Sequence, residues 1–177
     1  QPRFFVSAQK DSGTATSSGN DLQRIQIIKG WVDANGNTHE KVHNVAGDPN
    51  NGASVNPQTC EPQGIGYSQL CTVWNDPDFN SNENAFYYTR VVENPSCRWS
   101  TLQCQAAGVN PFDNNCPTQA ETANQRSINA GASGDVYGKC CINPLLEPFY
   151  SPVIQERAWS SPIWTKTQTS IRTDGDS

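Results

Sequence analysis

Short runs of alternating apolar and polar residues dominate this chain and predict β-strands in seven places. The predicted strands cover residues 3–9, 22–33, 38–45, 70–74, 85–93, 153–159 and 163–172. Between the second and third strands, Asn35 and Gly36 favour the tight turn of a β-hairpin. Seven short strands separated by turn signals indicate an all-β fold, an immunoglobulin-like or fibronectin-like β-sandwich.

Long polar segments separate these strands. Residues 44–69 are rich in Asn, Gly and Pro and predict a long loop, and residues 94–146 predict a cysteine-rich insertion. Within that insertion we expect one short helix at 117–129, with Thr118 as its N-cap and Glu121 completing a capping box. We therefore predict a single domain over residues 1–177, with disulfide-stapled loops and a C-terminal extension at about 165–177.

Composition and charge argue against two classes of partner, nucleic acids and membranes. The chain has 177 residues, of which 34% are hydrophobic, and this supports one modest core. Its formal net charge is -5 and its basic residues are scattered singly, whereas binding to nucleic acid needs clustered Lys and Arg. No apolar run approaches the roughly 20 residues that span a bilayer. We expect neither a nucleic-acid partner nor insertion into a membrane.

The seven cysteines point to disulfides rather than to a metal site, because no pair has the spacing of zinc ligands. One pairing joins Cys60 to Cys71. The other candidates remain open, with three cysteines competing for the adjacent pair near residue 140. These are Cys97, Cys104 and Cys116 on one side and Cys140 and Cys141 on the other. Because seven is odd, at least one thiol stays free or pairs with another chain.

The start of the chain suggests processing. It begins with Gln1 and contains no Met, which is typical of a mature product whose signal peptide has been removed. Together with the predicted disulfides, this start indicates a secreted protein that is extracellular or attached to the cell surface.

One motif resembles a protease site. Residues 39–43 read His-Glu-Lys-Val-His, the H-E-x-x-H pattern of zinc proteases, which needs a helix to bring both imidazoles to one metal. Here the motif follows the predicted hairpin turn, and on a strand residues four apart lie about 13 Å from each other. We therefore predict that His39 and His43 are solvent-facing strand residues and not zinc ligands.

A weaker candidate site lies at residues 76–82, where alternating oxygen ligands fit a calcium loop. The candidate ligands are Asp76, Asp78 and Asn80. The segment has Ser81 where a calcium loop has Gly and Tyr87 where it has an acidic residue, so a turn capped by Asx side chains is the stronger prediction. No nucleophile elbow or phosphate loop is present, so we predict no catalytic residue, no enzymatic activity and no cofactor beyond that weak calcium site.

Several segments together resemble one family, the proteins of unknown function grouped as family 3604, which the resemblance relates to PHP-type metallohydrolases. The segments are 2–8 (PRFFVSA), 22–31 (LQRIQIIKGW), 76–79 (DPDF), 85–91 (AFYYTRV) and 155–164 (QERAWSSPIW). They resemble the trailing, β-rich part of such proteins. The resemblance implies a fold and places the family's metal-binding motifs upstream of Gln1, so it carries over no catalytic residue.

Three functions from different classes fit these observations. We favour a secreted structural subunit that assembles with copies of itself through terminal strands, with an extracellular filament as one form of the assembly. An unpartnered edge strand can accept a strand from a neighbour. The candidate assembly residues are Phe4, Phe5, Val6, Thr165, Thr167 and Thr169. The alternatives are a carbohydrate- or surface-binding module using Trp74, Trp99 or Trp159, and an inert C-terminal fragment of a larger secreted metallohydrolase.

Overall fold

The computed structural model describes residues 1–15, 18–142, 146–147 and 149–166, and the chain forms two compact units. Unit 1 comprises Gln1–Pro49, Tyr67–Glu93 and the chain from Arg157, and unit 2 comprises Asn50–Gly66 and Asn94–Glu156. We predicted one domain with an insertion at about 94–146. Unit 2 contains that segment, extends it to Glu156 and adds the stretch before residue 67.

Eleven strands form within the described residues, and they confirm the all-β prediction. They are β1 (Arg3–Gln9), β2 (Leu22–Val32), β3 (Thr38–Gly47), β4 (Ser54–Val55), β5 (Pro62–Gln63), β6 (Gln69–Asn75), β7 (Ala85–Glu93), β8 (Ser96–Cys97), β9 (Val153–Ile154), β10 (Arg157–Trp159) and β11 (Ile163–Thr165). The first five predicted strands form with bounds within two residues of those expected. The sixth is interrupted into β9 and β10, and the part of the seventh beyond residue 166 lies outside the described residues.

Unit 1 has two antiparallel sheets. One pairs β1 with β6, and the other has five strands in the order β3, β2, β7, with β10 and β11 both paired to the far edge of β7. The β2–β3 hairpin forms as predicted, with Gly36 at a positive φ of 84° that glycine adopts without strain. Asp33 caps this turn by accepting bonds from the N–H groups of Asn35 and Asn37, both at 2.9 Å.

The two sheets of unit 1 pack face to face, as in a β-sandwich. Alternate residues of β1 point inward, so that the Phe4 ring lies 4.8 Å from the Tyr87 ring and Val6 packs beside Ile25 and Ile27. Ile25, Ile27 and Tyr87 are at most 1% exposed. The predicted alternation of strand residues therefore buries one face of each sheet in a shared core.

Among its described residues, unit 2 contains two α-helices where we predicted one, and a short 3-10 helix at Gly138–Cys141. The α-helices are α1 (Trp99–Ala106), which the polar sequence did not indicate, and α2 (Cys116–Asn129). The predicted capping box on α2 is wrong. The helix begins two residues before Thr118, with Asn115 at the N-cap and no side-chain cap, because Pro117 suits the first turn of a helix.

Three disulfides form, all of them within unit 2, and one predicted pairing is wrong. The bonds join Cys60 to Cys97, Cys104 to Cys140 and Cys116 to Cys141. The last two are among the alternatives left open by the sequence. Cys71 is the free thiol and is exposed in unit 1, whereas its predicted partner Cys60 lies in the turn between β4 and β5 of unit 2.

The terminal strands β1 and β11 each pair with a strand of the same chain, and their predicted role in assembly stays a prediction. β1 pairs along its whole length with β6, and its Phe4 and Val6 side chains face the core. Thr165 in β11 donates its hydroxyl to the carbonyl of Ala85 at 3.2 Å. The predicted assembly residues Thr167 and Thr169 lie outside the described residues.

No helix in the described part of the chain is long and apolar enough to cross a membrane.

Candidate functional site

A buried charged cluster lies between the sheets of unit 1, centred on Asp76. This residue directly follows β6 and is 0% exposed. Lys29, which is in the middle of β2 and also buried, donates to Asp76 Oδ2 at 2.7 Å, and the Tyr87 hydroxyl donates to the same oxygen at 2.8 Å. A buried carboxylate needs such partners, because an unpaired charge in the core is strongly destabilising.

The pKa values of this cluster follow from its contacts. Burial alone raises the pKa of Asp76, but the hydrogen bonds from Lys29 and Tyr87 outweigh it, and the pKa lies below its usual value. Burial, followed by the bond to the Asp76 carboxylate, raises the pKa of Tyr87. The cluster is thus a buried ion pair with a neutral phenol bonded to the same carboxylate oxygen.

His43 brings a third type of ligand atom near this cluster. Its ring packs against Trp74 at 4.8 Å, and its Nε2 is buried without a hydrogen-bond partner. One ligand atom each from His43, Asp76 and Asp78 lie within 4.8 Å of one another. Burial, followed by the charge of the nearby Lys41 ammonium, lowers the pKa of His43. The Asp76 and Asp78 carboxylates have the opposite, smaller effect.

The geometry of this group fits a metal ion poorly. The Asp76 carboxylate is bonded to Lys29, and the Asp78 carboxylate forms an ion pair with Lys41. The positive charge that a cation would bring is therefore already supplied by two ammonium groups. The prediction that His43 faces solvent is wrong, because the five-stranded sheet turns this side chain towards the β1–β6 sheet.

The H-E-x-x-H motif lies on β3, as the sequence predicted. His39 is exposed, stacks on Trp31 at 5.1 Å with an angle of 17° between the rings, and places Nε2 2.9 Å from Asp33 Oδ2. The bond to His39 and those from Asn37 lower the pKa of Asp33. The two histidines thus lie on one strand and contact different residues, in an arrangement unlike that of a zinc protease.

The segment after β6 forms the turns that the sequence favoured over a calcium loop. Asp76 Oδ1 accepts the N–H of Asp78 at 2.9 Å, and Asn80 Oδ1 accepts the N–H of Asn82 at 3.0 Å. The Lys29 ammonium also bonds to the carbonyl of Asp78 at 2.7 Å, which ties this segment to β2. Binding of calcium by Asp76, Asp78 and Asn80 stays a prediction.

A second candidate site is the outer face of the β1–β6 sheet, which we define as the side chains of β1 and β6 that point away from the core. Phe5 is 73% exposed and lies directly opposite Val73, which is 45% exposed. The next pair on the same face is Ser7 and the free thiol of Cys71. Among the described strands, β1 pairs with β6 alone, so its other edge has no partner strand in the described part of the chain.

The three candidate aromatic residues lie in different environments. Trp74 belongs to the core, where it contacts Phe4 and His43. Trp99 is exposed on α1 of unit 2, and Trp159 is 60% exposed on β10 of unit 1. Sequence reasoning did not name Trp164 as a candidate, although the predicted strand 163–172 includes it. Trp164 is 66% exposed and packs against Phe86.

Comparison with known proteins identifies a family and no named relative. No curated protein and no solved structure matches the chain. The matching family model is described as a protein of unknown function, DUF3604, and it covers residues 1–129. Four of the five segments that carried the sequence resemblance lie inside this span, and 155–164 lies beyond it. The chain belongs to the DUF3604 family of proteins of unknown function.

Proposed function

We propose that the chain is a secreted, non-catalytic structural subunit that assembles with copies of itself through the β1–β6 sheet. The observation that carries this proposal is the exposed pair of Phe5 and Val73, beside an edge of β1 that pairs with no other described strand. Natural sheets usually protect such an edge with charge, Pro or a covering segment. In β1 the residue that points outward at the centre of the edge strand is instead a phenylalanine.

Two contributions to the free energy of association follow from this geometry, namely burial of apolar side chains and backbone hydrogen bonds. Removing Phe5 and Val73 from water stabilises a contact by about 2–4 kcal/mol, at roughly 25 cal/mol per Å² of apolar surface. Backbone bonds formed along the β1 edge add about 0.5–1.5 kcal/mol each. An apolar face next to an open edge therefore favours a partner that supplies both a strand and an apolar surface, and a second copy of this sheet has both.

The arrangement of edges allows either a dimer or a filament. Pairing of β1 with β1 of another copy is isologous and closes on itself. Among the described strands β11 pairs with β7 alone, so unit 1 has a second open edge near Thr165. If β1 of one copy meets this other edge of the next, the contact is head-to-tail and the chain polymerises.

Secretion and the absence of catalysis belong to the same proposal. The three disulfides are bonds that persist in oxidising compartments. The His43–Asp76–Asp78 group has both carboxylates bonded to lysines, which supports a structural role for it. We also propose that this chain corresponds to the β-rich C-terminal part of its family and is related to PHP-type metallohydrolases, which an upstream metal-site domain in the gene would test.

The test is the oligomeric state of the purified chain across a range of concentrations, measured by light scattering and negative-stain imaging. Phe5→Lys should abolish assembly, because it places a charge at the centre of the contact. Phe149→Lys is the matched control, since Phe149 is 97% exposed and lies in unit 2. Deletion of residues 1–9 is a poorer test, since it would also remove Phe4 and Val6 from the core of unit 1.

Cys71 supplies a second readout on the same face. It is the free thiol of the chain, and in the β1–β6 register it lies one pair away from Phe5 and Val73. Its alkylation by a maleimide should be slower in the assembled protein than in Phe5→Lys. A wild-type chain that stays monomeric at every concentration, with Cys71 alkylated at the same rate throughout, would refute self-assembly.

A further inference from the structure

The outer face of the five-stranded sheet, which points away from the β1–β6 sheet, carries a row of aromatic rings. The rings of Phe86 and Tyr88 on β7 are nearly parallel, at 11°, with centroids 6.4 Å apart. Trp164 on β11 lies opposite Phe86 with ring centroids 5.1 Å apart, and Trp159 on β10 lies opposite Arg90. We call these four aromatic residues the platform.

The Phe86 ring of the platform lies close to the backbone of β2 because residue 30 is a glycine. Gly30 on β2 is opposite Phe86, and a Cβ at this position would lie 2.3 Å from Phe86 Cζ. The ring therefore lies over the backbone of β2, where any other residue would displace it. This close approach places the end of the Phe86 ring over Gly30, beside Trp164, whose ring is inclined by 48° to that of Phe86.

Three arginines lie at one end of the same face. Val92 on β7 is flanked by Arg24 on β2 and by Arg157 on β10, one on each side. Arg90 lies on β7 itself, two residues from Val92. Residues opposite each other, and residues two apart on a strand, point to the same side of a sheet. Trp159 lies directly beside Arg90 and so joins the arginines to the platform.

In the described part of the chain, these arginines form no ion pair. Arg24 and Arg90 bond instead to the neutral side chains of Gln23 and Gln26, and Arg24 Nε is buried with no partner. Burial and then the charges of Arg90 and Arg157 lower the pKa of Arg24. A cluster of three guanidinium groups outside the ion pairs of the described residues is unexpected in a chain of net charge -5.

We propose that this outer face binds an anionic polysaccharide, with sugar rings stacked on the platform and carboxylate or sulfate groups bound by Arg24, Arg90 and Arg157. The flat C–H face of a pyranose ring is apolar and packs on an aromatic ring, while its hydroxyl groups remain available for hydrogen bonds. Guanidinium groups present several donors in a planar fork that matches carboxylate and sulfate oxygens. The Tyr88 hydroxyl adds a donor beside the rings.

The charge distribution favours a polysaccharide over single-stranded nucleic acid, which also combines stacking with anionic groups. Nucleic acid carries one phosphate per nucleotide and is bound by a basic groove that follows the backbone, but here the basic residues are confined to one end of the platform. The four aromatic residues carry no charge, and Glu40 on β3 lies opposite Gly30 on the same face, which suits a polymer with less negative charge than a nucleic acid.

The test measures binding of the purified full chain to four polymers, by retardation in gels that contain each polymer. The polymers are dextran sulfate, polygalacturonate, neutral dextran and single-stranded DNA. Arg157→Gln and Trp159→Ala should each weaken binding to at least one of the two polyanionic polysaccharides by about threefold to tenfold. The matched controls, Lys139→Gln and Trp99→Ala, change an exposed charge and an exposed Trp in unit 2 and should bind as wild type does.

Salt dependence gives a second measurement. In wild type, affinity should fall as salt rises, and Arg157→Gln should reduce the slope of log affinity against log salt by about one. Phe5→Lys, which changes the opposite face of unit 1, should bind the polysaccharide as wild type does, so this proposal and self-assembly fail separately. Equal losses in the control variants, tighter binding to DNA, or no binding to either anionic polysaccharide would each overturn the proposal.

Discussion

The two units of this chain are held together by different means. Unit 1 buries large side chains between two sheets, among them Ile25, Ile27 and Tyr87, and contains no disulfide. Unit 2 buries mostly small residues such as Val109, and three disulfides cross it. The other buried members of its core are Ala120, Ala123, Cys104, Cys116 and Cys140. Within one chain, covalent bonds replace apolar surface where the sequence supplies little of it.

The difference has a simple energetic basis. Burial of an Ile side chain stabilises a fold by about 1.5–3 kcal/mol, and Ala contributes much less. The disulfides of unit 2 join residues 37, 36 and 25 positions apart in sequence. In the chain-entropy model, loops of this length give about 3.5–4 kcal/mol per bond. The disulfides therefore contribute to unit 2 what packed side chains contribute to unit 1.

The largest predicted effect comes from reduction of the disulfides, which removes on the order of 10 kcal/mol from unit 2. In the presence of a reductant, hydrogen exchange should show α1 and α2 losing protection while β2 and β7 keep theirs. The oxidised chain is the control. Loss of protection in β2 and β7 to the same extent would show that the units do not differ in this way.

The reciprocal experiment destabilises unit 1. Lys29→Met leaves the buried Asp76 carboxylate without its ion-pair partner and should cost about 3–5 kcal/mol. Hydrogen exchange should then increase in β2 and β7 and stay unchanged in α2. The double variant Lys29→Met, Asp76→Asn should recover part of the loss, because it removes the unpaired charge. A single variant as stable as wild type would contradict the role of this ion pair.

A smaller effect is expected at Asn124, which anchors the loop after α2 in unit 2. Its side-chain oxygen accepts the N–H groups of Val136 and Tyr137, both at 2.9 Å. Asn124→Ala should cost about 1–3 kcal/mol and expose these two amides to exchange. Asn129→Ala, at the exposed end of the same helix, is the control and should change stability little. Equal effects of the two substitutions would contradict this role.

The smallest effect concerns acid stability at the β2–β3 turn of unit 1. The contact with His39 and the bonds from Asn37 lower the pKa of Asp33, so its contribution to stability is present above its usual pKa and is lost as pH falls below it. Asp33→Asn keeps an oxygen for the turn but does not titrate. Between about pH 5 and about pH 2, the melting temperature should therefore fall slightly more in wild type than in this variant.

The strands were predictable because their signals are local. Alternation over 3–9 and 85–93, and the Asn35–Gly36 turn, specify strand and hairpin through side-chain direction and backbone conformation alone. The helix α1 was missed because its sequence is polar and it buries only Thr101 and Cys104. Its position depends on contacts with distant segments, such as the bond from the Thr101 hydroxyl to the carbonyl of Pro152 at 3.0 Å.

The candidate sites were only partly predictable. Phe5 was named from the sequence as an assembly residue, but the sequence could not separate it from Phe4, because register decides which of the two faces the core. The Lys29–Asp76 ion pair joins residues 47 positions apart and has no local signal. From the sequence alone Asp76 is a candidate calcium ligand, and the fold adds the information that the Lys29 ammonium is bonded to it.

By itself, the sequence determined the strand pattern, the β2–β3 turn and the use of cysteine for disulfides, since each depends on neighbouring residues or on composition. Only the tertiary structure decided that Cys60 pairs with Cys97 and leaves Cys71 free, and that three arginines meet beside an aromatic platform. These features depend on which strands become neighbours and in which register. A shift of one residue in that register would send every side chain to the opposite face of its sheet.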